Sequence, residues 1–439
     1  MISACGRKKW LFWGLVFVAI ILAAGAFTSQ KVRAVSSTYE NLRIFNDALY
    51  LIQANYVEEL KPQQILYGAI QGMLKTLDPH SAFMEPAMYK EMQVETEGSF
   101  GGLGIEITVK DDQLTIVAPI EGTPASRVGL KAGDKIIRID GESTKDMNLQ
   151  EAVKRMRGPK GSTVTLTIVR EGLPAPKDFT MTRDVIRIQS VRSRVIDGNI
   201  GYIRLRTFNR NSGEEMEKIL TEIKKVKPKG IILDLRNNPG GLLDQAIKVS
   251  GLFLPKGELV VYTEGRASGT SKRYRANSSN VSITEPLVVL VNAGSASASE
   301  IVAGALQDQG RAVILGVRTF GKASVQSILP LSDGSALRLT TAKYFTPKGR
   351  EIQAKGITPD IVVAEIVPTQ AAKQEERVVR EKDLKGHLEG SPPAKEEGKD
   401  DSNNGKPDDP VQDPQLNRAI DLLKSWSIFK NMVQPAKAG

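Results

Sequence analysis

Three apolar segments, each followed by an amphipathic helical pattern, constrain the fold of this chain more than any other feature. Short runs rich in Ile, Leu and Val predict buried strands, and apolar residues at helical spacing behind each run predict a helix. The strand and helix pairs lie at 200–206 and 213–226, at 230–235 and 242–253, and at 287–291 and 298–309. Repeated units of this kind predict a largely parallel sheet whose functional residues follow the carboxyl ends of the strands.

The turn after the third of these strands carries a candidate nucleophile. The segment Asn292–Glu300 ends the strand and opens a helix, and it contains Ser295, Ser297 and Ser299. Small residues around the serines allow a substrate backbone to approach, and N–H groups at a helix start can stabilise an oxyanion. Ser299, which Glu300 follows, is also typical of an ordinary helix cap. The local pattern therefore leaves the choice among the three serines open.

A serine nucleophile needs a base, and histidine is scarce in this chain. The two histidines are His80 and His387, and the second lies in a charged tail. A better candidate is Lys322 in the segment Phe320–Gln326, where Gln326 lies on the same face if the segment is a strand. Lysine accepts a proton only when neutral, so burial would have to lower its pKa. A serine with a lysine base is a known variant of the catalytic triad; a surface lysine is the alternative.

Two backbone turns are candidates for the oxyanion donors. The N–H of Ala298 lies at the helix start, and the segment Leu235–Gly241 places Gly240 and Gly241 at a second strand-to-helix turn. Paired glycines permit unusual backbone conformations and close approach. The same segment is also typical of an ordinary tight turn with an asparagine cap. Neither histidine has a companion at metal-ligand spacing, so no metal and no cofactor are expected.

Residues 98–183 differ in character from the rest of the chain. Short alternating strands separated by turns rich in Gly and Pro predict a compact β-rich module. The loop that opens it is formed by Gly101, Gly102, Leu103, Gly104 and Ile105, and its successive backbone amides could bind a carboxylate. A strand edge beside such a loop can capture an extended peptide by β-augmentation. A simple glycine-rich turn is the alternative.

The two ends of the chain carry signals of a different kind. Basic residues at positions 7–9 precede an apolar run from Trp10 to Phe27, which predicts a signal peptide or an uncleaved signal anchor over residues 1–35 and an exported protein. Helical spacing predicts a helical region at 36–97. At the other end, residues 368–414 are charged and rich in proline, which predicts a disordered, solvated linker. An amphipathic helix at 415–439 would either dock on the core or bind a partner.

Bulk composition excludes some classes of function. The net charge is +10 and the pI is about 9.4, but the basic residues are scattered and aromatic residues make up only 5% of the chain. Nucleic acid is therefore not an expected partner. Cys5 is the only cysteine, so the chain can form no intramolecular disulfide.

Together these segments resemble the carboxyl-terminal processing proteases, the S41 family of serine peptidases. The resemblance runs from about Tyr39 to Val363 and includes Leu77–Ser81, the β-rich module, the Asn-Asn-Pro-Gly-Gly turn, the serine segment and Gly321-Lys322. It implies an α+β multidomain fold with a helical region at 36–97, an inserted PDZ-like domain at 98–184 and an α/β protease core at 185–367. The core is expected to have a mixed, largely parallel sheet with crotonase-like or Clp-like layering.

The resemblance also implies catalytic roles. It matches the family's nucleophile to Ser297, its base to Lys322 and its supporting glutamine to Gln326. The spacing of 25 residues between Ser297 and Lys322 fits the family and decides among the three serines. The oxyanion hole would use the backbone of Ala298 and of one glycine in the Gly240-Gly241 pair.

The PDZ-like domain is expected to bind the free C-terminus of a substrate. The resemblance makes Leu103 and Gly104 residues of the peptide pocket, and Arg157 matches a position that couples peptide binding to activation in some relatives. The expected function is an exported Ser-Lys endopeptidase that recognises proteins with apolar C-terminal tails, in the bacterial periplasm or on the outer face of the cytoplasmic membrane. A homo-oligomer and an adaptor protein are the other expected partners. The alternative is a catalytically silent PDZ scaffold on the same architecture.

Overall fold

The computed structural model describes residues 39–145, 147–269, 271–277, 283–365, 379–388 and 413–433. The chain divides into two compact units, residues 1–74 and 75–439. In the first unit, residues 39–55 form helix α1, and helix α2 begins at Pro62 and runs to Lys75 at the boundary. Proline is well tolerated in the first turn of a helix. The predicted helical character of this region is confirmed.

The predicted signal or anchor segment at 1–35 lies outside the described residues. Among the helices that the structure describes, none is both long enough and apolar enough to span a bilayer.

The described residues of the second unit form helices and strands, and the strands lie in four sheets. Its helices are α3 (Pro86–Glu97), α4 (Pro124–Arg127), α5 (Leu149–Met156), α6 (Ser212–Lys225), α7 (Leu243–Gly251), α8 (Ala298–Asp308) and α9 (Pro414–Val433). The strands are β1 (Ala82–Met84), β2 (Ser99–Gly102), β3 (Ile105–Lys110), β4 (Gln113–Pro119), β5 (Lys135–Ile139), β6 (Glu142–Ser143), β7 (Thr163–Val169), β8 (Lys177–Thr182), β9 (Asp184–Arg187), β10 (Val191–Ile196), β11 (Ile200–Leu205), β12 (Gly230–Asp234), β13 (Leu259–Glu264), β14 (Lys272–Arg275), β15 (Leu287–Val291), β16 (Val313–Gly316), β17 (Ser324–Pro330), β18 (Ala336–Phe345) and β19 (Ile361–Val362).

The β-rich module is an antiparallel sheet in the order β3-β4-β5-β7-β8, with β6 paired to β5. Alternate residues of β7 face its core, where Val164, Leu166 and Ile168 are fully buried. Helix α5 packs against β3 and β5. Because β3 stands at the end of the strand order, it is an edge strand of this sheet. Strands β2 and β9 pair outside the sheet and bracket the module in sequence.

The α/β region at 185–367 is built on a six-stranded sheet in the order β10-β11-β12-β15-β16-β19. Strand β10 pairs antiparallel to β11, and the other neighbours pair parallel, which confirms the predicted mixed, largely parallel sheet. Strands β12 and β15 are buried along their whole length. Continuous apolar strands are typical of parallel sheets that are covered on both faces.

The two faces of this sheet are covered by different helices. Residues such as Leu233 and Val289 pack with α6, α7 and α8 in the main core. On the opposite face, Ile232 and Leu290 pack with Ala419 and Leu423 of α9, which are buried. Of the two alternatives for the C-terminal helix, the structure therefore shows docking on the protein's own core.

A second sheet of the core is antiparallel, in the order β1-β18-β13-β14, with β17 paired to β18. The pairing of Ala82 with Arg338 brings the Leu77–Ser81 segment beside β18. The pairing of β17 with β18 brings the segment after Lys322 to the same place. Within the predicted linker at 368–414, residues 379–388 form a short segment with a 3₁₀ turn at Glu381–Asp383, and Glu381 is buried.

Candidate active site

Ser297 differs from its two neighbouring serines in both backbone and hydrogen bonding. Its φ is 54° and its ψ is −113°, an unusual conformation for a residue with a side chain. Ser295 and Ser299 are fully buried and serve structural hydrogen bonds: Ser295 Oγ donates to Leu235 O at 2.8 Å, and Ser299 Oγ donates to Asn238 O at 2.9 Å. Ser297 is only partly buried, at the start of α8. It is therefore the serine best presented to a substrate.

The carboxylate of Glu300 joins the segments that carry the candidate nucleophile and base. One oxygen accepts from the backbone N–H of Ser297 and of Lys322, each at 2.9 Å. The other accepts from Gly321 N at 2.7 Å and from the hydroxyl of Thr319. Burial raises the pKa of Glu300 to about 7, against the opposing effect of these four donors. This single buried group fixes both backbones relative to each other.

Tyr344 on β18 provides a second link between the same two segments. Its buried hydroxyl lies 3.0 Å from Ser297 O and is also within hydrogen-bond distance of Lys322 O. A phenol has one proton to donate, so the two carbonyls share it. The backbone on each side of the site is thus held through its N–H groups by Glu300 and through its carbonyls by Tyr344.

Lys322 lies in an environment that favours its neutral form. Burial lowers the pKa of its amine, and the positive charge of Arg338 lowers it further. The negative charges of Glu381, Glu300 and Asp78 oppose this shift. The net direction is downward, as a lysine general base requires.

Lys322 lies outside the strand that would have placed it on one face with Gln326, so the condition for that shared face is not met. Strand β17 begins at Ser324, because the N–H groups of Gly321 and Lys322 bond to Glu300 instead of a neighbouring strand. A register shift between Val325 and Gln326 further interrupts the period of two. The Nε2 of Gln326 donates to Ser324 Oγ at 2.9 Å and to Thr340 Oγ1 at 3.3 Å. A bond from the lysine amine to the amide oxygen of Gln326 stays a prediction.

The Gly240-Gly241 turn approaches the nucleophile closely. A methyl group on Gly240 would lie 2.9 Å from Ser297 Cβ and 3.0 Å from Ala298 N, so only glycine permits this contact. Both glycines have positive φ. The N–H of Gly240, however, already donates to Asn238 Oδ1 at 2.9 Å. Proximity thus favours Gly240 and donor availability favours Gly241, and the choice between them stays open.

The loop of the β-rich module connects β2 to β3, and the sheets of these two strands are separate from the two sheets of the core. Gly101 and Gly102 lie in β2 and pair with Val185 and Asp184 of β9. Leu103 is buried in the module core, Gly104 has a φ of 75°, and Ile105 begins the edge strand β3. The carbonyl oxygens of Leu103 and Gly104 accept from Ala125 N and Ile120 N at 3.0 and 2.8 Å, which anchors the loop.

Arg157 lies at the C-terminal end of α5 and contacts the strand that leads into the loop. Its guanidinium lies 4.5 Å from the centre of the Phe100 ring, a cation–π contact with β2. The N–H of the next residue, Gly158, donates to Gly101 O at 3.0 Å. These contacts connect the helix beside β3 to the β2-β9 pair.

The sequence did not indicate several groups that the fold brings to the site. Glu300 was noted only as the residue that follows Ser299, a possible helix cap, and Tyr344 carried no signal. Asp78 accepts from Thr340 Oγ1, which in turn contacts Gln326, so the Leu77–Ser81 motif was the available signal for this contact. Within the described residues, no group of three or more His, Cys, Asp and Glu side chains is arranged to hold a metal ion.

Comparison with known proteins gives three family matches. Residues 199–363 match peptidase family S41, residues 91–169 match the PDZ domain, and residues 21–87 match the N-terminal domain of the activating protease CtpB.

Individual relatives extend over most of the chain. A carboxy-terminal-processing protease of Bartonella bacilliformis is 44% identical over 95% of this chain and 96% of its own length. A carboxyl-terminal-processing protease of Synechocystis is 40% identical over 82% of this chain and 88% of its own. Among solved structures, the photosystem II D1 C-terminal processing protease is 33% identical, with a TM-score of 0.42 over 72% of this chain and 86% of that one.

Proposed function

Since the chain belongs to peptidase family S41 and is a carboxyl-terminal-processing serine protease with a PDZ domain, we propose that Ser297 is its nucleophile and Lys322 its general base. The observation that carries this proposal is the carboxylate of Glu300, which accepts from the backbone N–H of both residues. Two segments 25 residues apart in sequence are thereby fixed beside each other. A catalytically silent scaffold would not require a half-buried lysine whose pKa is lowered next to a serine in a strained turn.

The proposed reaction passes through an acyl-enzyme. Neutral Lys322 accepts the proton of Ser297 Oγ as this oxygen attacks the scissile carbonyl carbon, and the protonated amine then donates to the leaving amine. The N–H of Ala298 and one N–H of the Gly240-Gly241 turn stabilise the oxyanion. The neutral lysine then deprotonates a water molecule that attacks the ester carbonyl, and as the acyl C–O bond breaks the lysine ammonium returns this proton to Ser297 Oγ. Gln326 supports the lysine through its amide oxygen.

Substrate recognition is proposed to occur in the PDZ domain. An extended C-terminal tail would add to the free edge of β3, beside α5, and its carboxylate would bind the backbone amides of the loop from Gly101 to Ile105. An apolar terminal residue would enter the pocket next to Leu103, which faces the apolar module core. Arg157 would transmit occupancy of this groove through its contact with Phe100 on β2.

The same proposal includes export. The apolar run from Trp10 to Phe27 with its preceding basic residues supports an exported protein that acts in the bacterial periplasm or at the outer face of the cytoplasmic membrane. Cell fractionation of the tagged chain tests this: recovery in the cytosol at full length would contradict it.

Replacement of the nucleophile tests the catalytic assignment. Ser297→Ala is expected to abolish cleavage of a peptide substrate while peptide binding and the melting temperature stay at wild-type levels. Ser299→Ala is the matched control, since it removes a neighbouring hydroxyl with one structural hydrogen bond worth about 1 kcal/mol. The control is expected to retain measurable turnover. Normal cleavage by Ser297→Ala, together with an inactive Ser299→Ala of normal stability, would overturn the assignment.

A further inference from the structure

The short tail segment at 379–388 contacts the protease core through Glu381. Glu381 is fully buried, whereas Lys382 and Asp383 beside it are exposed. A buried carboxylate destabilises the fold unless it is paired and hydrogen-bonded. The contacts of Glu381 therefore show what this segment is docked against.

Two side chains bind the carboxylate of Glu381. The Nε2 of His80 lies 2.7 and 2.9 Å from the two carboxylate oxygens of Glu381. Only 16% of the histidine side chain is exposed. The Nε2 of Gln353 donates to Oε1 at 2.9 Å. His80 lies 301 residues before Glu381 in the sequence, and Gln353 lies 28 residues before it. Only the folded core brings these partners together.

The same contacts lead to the backbone on both sides of Lys322. The Oε1 of Gln353 accepts from Ala323 N at 2.8 Å, and the N–H of Glu381 donates to Phe320 O at 3.3 Å. Glu381 is thus linked to Ala323, after the lysine, through Gln353. It is linked to Phe320, before the lysine, by a direct hydrogen bond.

Glu381 also acts on Lys322 by its charge. Four charged groups on four elements act electrostatically on the lysine amine: Arg338 from β18, Glu300 from α8, Asp78 from the segment before β1, and Glu381 from the tail. Burial and Arg338 disfavour the ammonium form, and the three carboxylates favour it. The match to the protease family covers residues 199–363. Asp78 lies before this match and Glu300 within it, whereas Glu381 lies after it.

We propose that Glu381 is a positioning residue that the tail supplies to the active site, where it fixes the Phe320–Ala323 backbone and holds a negative charge beside the amine of Lys322. This inference rests on the proposed role of Lys322 as general base. The tail is then a component of the catalytic site and not only a linker to α9.

The charge has a defined effect on catalysis. Removal of a negative charge near an amine lowers the pKa of that amine, so a larger fraction of the lysine is neutral at a given pH. The neutral amine is also a weaker base, so the rate at the alkaline plateau falls. Removal of the charge therefore raises the rate on the acid limb and lowers it on the alkaline plateau. The loss of a merely structural residue would not produce both changes.

Glu381→Gln tests the proposal in the full-length protein, because glutamine keeps the shape and an acceptor oxygen for Gln353 and His80. The acid limb of kcat/KM against pH is expected to move to lower pH by about half a unit or more. A directly adjacent charge would shift the pKa by roughly one to three units, which is more than we expect here. The plateau is expected to fall a few-fold with KM unchanged. Asp383→Asn is the control, since it removes the same charge at an exposed position two residues away.

The control and a stability measurement make the outcomes decisive. A profile of Glu381→Gln that superimposes on wild type, or an equal shift in Asp383→Asn, would overturn the inference. A lower plateau without a shifted limb would also overturn it, because it would leave only a structural role. If Lys322→Arg and Ser297→Ala are inactive and Glu381→Gln is unchanged, the inference fails and the proposed function stands. If those two variants are active, the proposed function itself fails.

Discussion

The protease site and the loop of the PDZ domain are built in opposite ways. In the protease site, the backbones of Ser297 and Lys322 are held together by Glu300 on α8 and by Tyr344 on β18. In the PDZ domain, five consecutive residues run from Gly101 at the end of β2 to Ile105 at the start of β3, and their backbone amides are the proposed binding groups. A site of convergent side chains should be sensitive to single substitutions. A backbone site should instead be sensitive to the chemistry of its ligand.

After the loss of cleavage in Ser297→Ala, the largest expected effect is that of Lys322→Arg, which addresses the convergent site. Arginine keeps the positive charge and much of the length, but it does not deprotonate near neutral pH. Loss of a general base typically lowers the rate by about 100-fold or more. We therefore expect kcat to fall by about that factor in a steady-state peptide assay, with the melting temperature unchanged within a few degrees.

An exposed lysine provides the matched comparison for this substitution. Lys348 lies in the turn after β18, and Lys348→Arg is expected to cleave at the wild-type rate. Retention of more than about a tenth of wild-type turnover by Lys322→Arg would show that the lysine is a structural cation and not a base.

The next largest effect concerns Glu300 and the pH dependence of stability. Its folded pKa of about 7 lies above the reference value of 4.5, so the folded state binds more protons than the unfolded state between these two values. The contribution of this group to the free energy of unfolding is fully present below pH 4.5 and is lost as the pH rises to about 7. The slope is at most about 1.4 kcal/mol per pH unit.

Urea unfolding at several pH values measures this slope. Glu300→Gln, which does not titrate, is expected to be less stable overall and to lack the decrease in stability across that window. Glu258→Gln at an exposed position should keep it. A wild-type protein whose stability rises steadily from pH 4.5 to 7 would contradict the raised pKa of Glu300.

The difference between the two regions also explains what the sequence could predict. The strand and helix pairs at β11-α6, β12-α7 and β15-α8 were predicted to within a few residues because their apolar periodicity is local. The antiparallel sheet with β13, β14, β17 and β18 was not predicted. Strand β18 is mostly half-buried along its length, which gives a weak alternation, and its partners are distant in sequence.

The site itself shows the same division. The serine turn and the glycine pair were visible because small residues at strand-to-helix turns form a local pattern. The roles of Tyr344 and Glu381 depend on contacts with residues 22 to 301 positions away. Lys322 was identified as a candidate base, but it lies before β17, because Glu300 takes up the N–H groups that a strand ladder would have used.

The smallest expected effect tests the PDZ loop through its ligand. Binding is measured with the full-length Ser297→Ala variant, which is expected to bind but not cleave, and a peptide that ends in an apolar residue. The amidated form of this peptide lacks the terminal charge but keeps the same side chains. Loss of charge-assisted hydrogen bonds, worth about 1.5 kcal/mol or more, is expected to weaken binding about tenfold.

A conservative change in the loop itself should matter less than this change in the ligand. Leu103→Met keeps the volume of the buried side chain and leaves every backbone amide in place, so affinity for the free-acid peptide is expected to stay within a few-fold. If the free-acid and amidated peptides bind equally well, the loop does not recognise a carboxylate. If Leu103→Met instead weakens binding more than amidation does, the PDZ site depends on side-chain packing in the same way as the protease site, and the contrast between the two regions does not hold.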